Sequence, residues 1–311
     1  MRRVSGRSVV ITGGAGFIGS HVTERFLARG YDAVVVDDLS TGKRENVPDG
    51  AGLVELDIRD ATQLGAVVAA ASPAAVCHLA AQASVTRSVR EPELDLAVNV
   101  AGTLNVVEAA REAGAPVVFA STGGALYGDG APLPTPEDAP ARPASPYGAS
   151  KFAGEAYVTA WGALGGTPSV VLRLGNVYGP RQEAHGEAGV VAIFSACLLE
   201  DRPPTVYGNG APTRDYVYVG DVADAFVLAA ESGRAGTFNV GTGVATSVND
   251  VLALLEQAAG RSAQPELASL RPGEIEQSAL DCARIERELG WRAQVPVAEG
   301  LPATLASFSA P

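Results

Sequence analysis

The 311-residue sequence predicts an α/β fold, a doubly wound parallel sheet carrying a smaller α/β substrate-binding lobe. Three observations carry that expectation. Short apolar runs alternate with helical stretches through the first half, a glycine-rich turn lies where the first run becomes a helix, and past Gly179 the alternation gives way to Pro, Gly and short apolar segments. The length accommodates one nucleotide-binding domain at residues 1–175, with later segments such as 214–242 returning to it, and a lobe at residues 176–311 for a substrate.

Ser8-Val9-Val10-Ile11-Thr12 reads as a buried strand, and Gly13-Gly14-Ala15-Gly16-Phe17-Ile18-Gly19 turns it into a helix reaching about Gly30. Glycines there permit the tight turn, let backbone approach a pyrophosphate at the helix N-terminus, and let helix and strand pack closely. The next strand, Ala33 to Val36, ends in Asp37-Asp38, with Asp37 placed to accept from a ribose hydroxyl. Strand, turn, helix, strand and acid together make a Rossmann-type fingerprint. The carboxylate disfavours a 2′-phosphate, so NAD is the expected cofactor, while Lys43 and Arg44 keep NADP open. Gly13, Gly16, Phe17 and Ile18, then Asp37, Asp38, Leu39 and Ser40, are the first candidate contacts.

Leu53 to Asp57 reads as a further strand, with Asp57 and Ile58 at the adenine edge. Ala75 to Gln82 reads as the next strand and its exit, so Leu79, Ala80, Ala81 and Gln82 line the crevice. His78, with no acid or nucleophile beside it in sequence, reads as a packed strand residue. An amphipathic helix is expected from Asn99 to Gly114, with Asn99 a further cofactor candidate. Pro116 to Ala120 is a strand ending in Ser121-Thr122-Gly123-Gly124, where a hydroxyl would face the cofactor; Thr122 is the candidate, although such residues also cap turns.

Ser145-Pro146-Tyr147-Gly148-Ala149-Ser150-Lys151 opens a helix at Pro146 and sets Tyr147 and Lys151 on one face. An ammonium near a phenol lowers its pKa and fits the tyrosine for acid and base work. Of 23 basic residues only Lys43 and Lys151 are lysine, which marks a place wanting a compact donor rather than a planar fork. The alternative is an exposed polar pair. In the second half helices are expected over Asp221–Ala230, Ser247–Ala259 and Leu280–Leu289, the last stopped by Gly290, with Trp291 a core residue.

A formal net charge of −12 argues against nucleic-acid or anionic-membrane partners. Cys77, Cys197 and Cys282 lie far apart without zinc-ligand spacing, so no metal is expected. With no signal-like or membrane-spanning apolar run, a cytoplasmic location is expected.

With these pieces in line the chain resembles, over essentially its whole length, the extended short-chain dehydrogenase/reductase family and within it the NAD-dependent UDP-sugar 4-epimerases. The likeness rests on Thr12 to Gly19, Val36 to Ser40, His78 to Ala83, Ser121 to Gly128, Ser145 to Lys151, Asn176 to Gln182, His185 to Phe194, Thr213 to Val219 and Asn239 to Gly243. The resemblance implies a catalytic Thr122, Tyr147 and Lys151, with Ser121 the alternative hydroxyl because the Gly123-Gly124 step is one residue longer than the commoner version. Leu174 stands where relatives often carry another residue type. It also implies Asn176 at the diphosphate or sugar, backbone around Val190 to Ile193 and Thr205 to Tyr207 at uracil, Arg214 and Arg271 on phosphate, Glu274 on the uridine ribose, and a homodimer through helices near 99–114 and 147–164. Ser84 and Arg87 fall in the sugar-side loop, where Arg87 either pairs with a C6 carboxylate, as a UDP-glucuronate 4-epimerase would need, or is solvated. Family 4,6-dehydratases carry an Asp-Glu pair where this chain has Gly123-Gly124. A non-catalytic NAD-binding protein is the reading from a different class.

Overall fold

The computed structural model describes residues 7–184, 189–269 and 275–309. The chain runs β1 (Ser8–Thr12), α1 (Phe17–Ala28), β2 (Asp32–Asp37), β3 (Gly52–Glu55), α2 (Ala61–Ala71), β4 (Ala75–His78), α3 (Val85–Arg90) and α4 (Pro92–Leu96). A π-helical turn, Ala97–Gly102, leads into α5 (Thr103–Glu112), β5 (Val117–Thr122), α6 (Pro146–Gly165) and β6 (Val170–Leu174). Then come β7 (Asn176–Tyr178), α7 (Val190–Leu199), β8 (Thr205–Tyr207), β9 (Thr213–Tyr218), α8 (Val219–Glu231) and β10 (Gly236–Val240). β11 (Ala245–Ser247), α9 (Val248–Ala259), β12 (Glu266–Ala268), α10 (Ala283–Leu289) and α11 (Val297–Ser309) complete it.

Seven strands form a parallel sheet in the order β10-β6-β5-β4-β1-β2-β3. The chain direction across the sheet reverses between β1 and β4, so the crevice expected of a doubly wound sheet opens at Thr12, which is in register with both Val36 and His78. Both faces are covered, which is why these strands read as unbroken apolar runs. Phe26, Val222 and Phe226 pack on one face with Ile11, Leu172 and Phe238. On the other, Leu64, Val68, Val106 and Val158 pack with Val10, Val76 and Phe119. A third core, with Tyr178, Phe194, Leu198, Leu255 and Leu301, lies around α7, α9 and α11. Two small sheets, β11-β9-β7 and β12-β8, accompany it.

Several boundaries differ from the sequence reading for local reasons. β3 stops at Glu55 because the Asp57 carboxylate takes the Arg59 amide at 2.8 Å and turns the chain. The expected helix from Asn99 begins in the wider π-helical turn, and Asn99 is turned fully inward. α10 starts at Ala283 rather than Leu280, because the Leu280 amide donates to Asp215 and the Asp281 amide to the Thr135 carbonyl. Trp291 is buried and donates to the Asp221 carbonyl at 2.8 Å, a core position as expected.

α6 begins as its sequence dictates: the Ser145 hydroxyl accepts from the Gly148 amide at 3.1 Å and Pro146 occupies the first turn. One turn past Lys151, Glu155 is buried against Arg173 of β6, which donates to it from Nε at 2.9 Å and from Nη2 at 2.7 Å. Arg173 Nη1 also donates to the Tyr127 hydroxyl and to the Glu137 carbonyl, each at 2.9 Å. Removing one member strands the other charge in the interior. Arg173→Met should therefore destabilise the fold by about 3–5 kcal/mol in urea unfolding, and the Glu155→Leu/Arg173→Met pair should recover most of that loss.

Candidate active site

At the carboxyl ends of β1 and β4 the backbones nearly touch. Gly13 has φ +72°, and a Cβ on it would lie 2.5 Å from the Ala80 nitrogen; one on Gly19 would lie 2.1 Å from the Gly13 carbonyl. Only glycine fits this turn, and the bare backbone at the start of α1 is the cradle a pyrophosphate requires, so these residues fit a dinucleotide. Gly16 closes the turn by donating to the Gly13 carbonyl, and Phe17 packs edge-on against His21 while Ile18 joins the core. Asp37 accepts from the Ala15 and Leu39 amides at 2.9 Å, and burial pushes its carboxyl above the usual range. Leu39 turns the chain at φ +56°, and Asp38 accepts from both amide and hydroxyl of Ser40. Asp57 is half-buried and held by Arg59, which keeps its carboxyl low, and Ile58 is packed beneath Gly102. The Leu79 amide donates to the Thr12 carbonyl, followed by Ala80, Ala81 and the buried Gln82 along the crevice.

His78 has no free nitrogen for chemistry. Its ring lies between the Thr12 and Thr103 hydroxyls at 2.7 and 2.9 Å, and burial, aided by Lys151, pushes its pKa down to about 3.

Thr122, Tyr147 and Lys151 come together where β5 ends against the start of α6. The Thr122 side chain favours the ionised form of the Tyr147 phenol, and its hydroxyl accepts from the Ala125 amide at 3.1 Å. Ser121 points elsewhere: its hydroxyl donates to Glu155 at 2.5 Å, which leaves Thr122 as the hydroxyl at the phenol. Lys151 is buried and donates to the Ala120 carbonyl at 3.0 Å, its ammonium 4.8 Å from the centre of the Phe119 ring. One expectation fails here. Tyr147 is not lowered by an adjacent ammonium: burial and the charge of Asp95 push it up to about 12, against the Thr122 side chain. Lys151 is pushed down to about 8 by burial, against the attraction of Asp95 and Glu155.

A buried polar network that sequence reasoning missed supports this group. Asn99 donates to the Gln82 carbonyl, the Asp95 carboxylate and the Ser150 hydroxyl, and its carbonyl accepts from the Gln82 amide. Ser150 donates to the Tyr147 carbonyl, and the Tyr147 amide donates to Ser88. Asn99 was found as a site candidate, but Asp95 and Ser88 lie on other helices whose tertiary placement alone joins them to this network, while Ser150 is one turn along α6 from Tyr147.

Of the substrate candidates, Asn176 lies beside the β5 exit, its Oδ1 3.2 Å from where a Cβ on Gly124 would sit. Val190 opens α7, Tyr207 ends β8 and Arg214 is on β9, donating to the Thr213 carbonyl at 2.8 Å. Asp215 fixes β9, accepting from Thr242, Gly243 and Leu280. Ser84 caps α3 by accepting from the Arg87 amide. Arg87 itself is exposed and paired with Glu91 at 3.1 Å, four residues on. Arg271 and Glu274 lie outside the described residues. Gly123 leaves room for Leu280, whose Cδ1 would be 2.7 Å from an added Cβ, so an apolar side chain occupies the space beside the position where dehydratases carry acids.

A family model described as the NAD dependent epimerase/dehydratase family matches residues 9–241. A UDP-glucose 4-epimerase of Mycolicibacterium smegmatis is 46% identical, covering 96% of this chain and 97% of that protein. Among solved structures, a UDP-glucose 4-epimerase of Thermotoga maritima with UDP-glucose superposes with a TM-score of 0.95 at 42% identity, covering 97% of this chain and 98% of that one. A Thermus thermophilus UDP-glucose 4-epimerase in complex with NAD gives 0.91 at 47% identity, covering 97% and 99%.

The buried Lys151 makes stability depend on pH. Folded, it releases its proton near 8 rather than at the ordinary 10.5, so the unfolded chain binds more protons between those values and stability rises with pH across that window. Lys151→Met should unfold at higher urea than the wild type at pH 7, by on the order of 3 kcal/mol, with the gap closing between about pH 8 and 10.5.

Proposed function

The chain belongs to the NAD-dependent epimerase/dehydratase family, and on that footing we propose that it interconverts UDP-glucose and UDP-galactose by inverting carbon 4. The observation that carries this reading is the meeting of Thr122, Tyr147 and Lys151 at the end of β5, beside a glycine-built crevice fit for a dinucleotide. The relatives' names supply the substrate.

Tyr147 takes the proton of the 4-hydroxyl and later returns it to the 4-oxygen, once hydride has come back to the opposite face of carbon 4, while Thr122 hydrogen-bonds the same oxygen and Lys151, one turn along α6, supplies a positive charge. NAD, held by Gly13, Gly16, Asp37 and the backbone at Leu79 to Gln82, supplies when bound a hydride acceptor that gives the hydride back, together with a positive charge. Burial raises the phenol in this structure, so a positive charge beside it would favour the phenolate. Inversion needs the 4-keto sugar to turn over while its nucleotide stays fixed, and Asn176, Val190, Tyr207 and Arg214, on the second group of elements, would supply that grip.

We read a matching division of the chain: a first unit of residues 7–175 to which α8 and β10 of the expected 214–242 segment return, and a substrate lobe from the rest of the second half, β9 included. A cytoplasmic location is in keeping with three unpaired cysteines. Among the described residues no helix is long and apolar enough to cross a membrane. A homodimer through α5 and α6 is supported by the exposed apolar side chains Val89, Leu96, Phe152 and Leu164 on α3, α4 and α6.

Incubation with UDP-glucose should give UDP-galactose by NMR, and Tyr147→Phe should lower kcat by about 10²–10⁴-fold. Thr122→Ala should cost activity where Ser121→Ala costs mainly stability. No 4-epimer with NAD present would overturn the reading. Sedimentation should return a dimer that Phe152→Glu dissociates; a wild-type monomer at micromolar concentration would refute that assembly.

A further inference from the structure

Phe119 is fully buried on β5, three residues before Thr122, and no assigned step of the reaction uses it. The Lys151 ammonium lies over the face of its ring, 4.8 Å from the centre, while donating to the carbonyl of the next residue, Ala120, at 3.0 Å. Two successive residues of one strand therefore hold the ammonium from two directions. The ring cannot turn aside. The His78 ring, in register with it on β4, packs against it at 5.4 Å and 34°, and a Cβ on Gly154 of α6 would lie 2.8 Å from its Cζ. Among the described residues no carboxylate lies within ion-pair distance of Lys151. The face of an aromatic ring carries partial negative charge, and in a dry site it holds a cation more strongly than at the surface. Phe119 also fills the core beside Val10 and Val76, a task an aliphatic side chain would perform without attracting a cation.

We propose that Phe119 is a positioning residue for the reaction: the face of its ring, with the Ala120 carbonyl, fixes the Lys151 ammonium and keeps it charged. The inference rests on the functional reading above, which takes Lys151 as a source of positive charge, and adds a residue that reading does not include. A lysine carries a compact charge on a flexible four-carbon stem, so what the ammonium touches sets its place. Burial favours loss of its proton, and Asp95 of α4 and Glu155 of α6 act against that loss. Tyr147 of α6 and His78 of β4 are neutral, and Arg173 of β6 is paired with Glu155. Arg87 and Arg90 on α3, Glu93 on α4, and Glu108, Arg111 and Glu112 on α5 are exposed, where solvent screens them. Replacing the ring alters none of these groups, so its own share can be measured apart from theirs.

Lys43 and Lys151 are the only lysines, so protein grown with lysine carrying carbon-13 at Cε gives two signals by NMR. That of Lys151 is identified by its absence in Lys151→Met. Phe119→Leu removes the π face and keeps an apolar side chain. Cyclohexylalanine set at position 119 by nonsense suppression also keeps the ring outline, and serves if the leucine chain does not fold. In NAD-loaded protein either change should move the Lys151 titration to lower pH by about one unit. The reaction uses the ammonium, so the alkaline limb of kcat for UDP-glucose should move with it. Core filling alone gives a different result: a looser site admits water, which leaves the titration in place or moves it up. Either of those outcomes overturns the proposal, as does a titration that moves while the kcat limb stays. Should the wild type fail to epimerise UDP-glucose, the substrate reading falls while the titration still decides whether the ring holds the ammonium.

Discussion

Helix α6 brings two charges, Lys151 and Glu155, into the interior on one face, and the surrounding structure is arranged to satisfy them. Glu155 is met by the fork of Arg173 and the hydroxyl of Ser121; Lys151 is met by a carbonyl and an aromatic ring. Each of these partners is on a strand of the large sheet, so satisfying the charges fixes the helix against β5 and β6 in both rotation and height. Arg173 passes the constraint on to Tyr127, and Tyr127 donates to Asn239 of β10 at 2.9 Å. The loop between β5 and α6 is thus tied down by the same pair that positions the reactive residues.

The opposite wall of the crevice depends on close approach rather than charge. Gly13 and Gly19 let the first turn lie against the exit of β4, and the Asp37 carboxylate holds the turn by accepting from Ala15. Bare backbone is thus left at the start of α1, where a dinucleotide's phosphates would need it. Asp95, Asn99 and Gln82 join the two walls, with Asn99 placed by an irregular helical turn that an ordinary α-helix would not provide. Ligand crevices at a sheet's reversal point need such a joint, because the two sides belong to elements far apart in sequence.

Much of this was legible beforehand where local rules apply. The glycine turn, the acid after β2 and the Tyr147–Lys151 pair are set by spacing along single elements, and the buried strands by unbroken apolar runs. His78 and Trp291 read correctly as packed residues because neither had a partner in its own segment. The Ser121 and Thr122 alternatives stayed open because adjacent strand residues face opposite sides, and Glu155, which takes Ser121, is 34 positions away. Arg87 offered itself for a carboxylate, but Glu91, just past the end of its helix, pairs with it. The phenol's pKa was misread in direction, since spacing shows that a lysine shares a face but not where its ammonium goes.

The sequence by itself determined the fold class, the nucleotide fingerprint and the choice of Thr122, Tyr147 and Lys151 as candidates, because periodicity and motif spacing act within a few residues of one another. Tertiary structure decided the electrostatics: which of the two hydroxyls Glu155 takes, where the Lys151 ammonium rests, and that the Asp95 carboxylate of α4 is buried among side-chain amides. Burial and charge act through space at distances the chain order does not encode, so the same residues carry different proton affinities once packed.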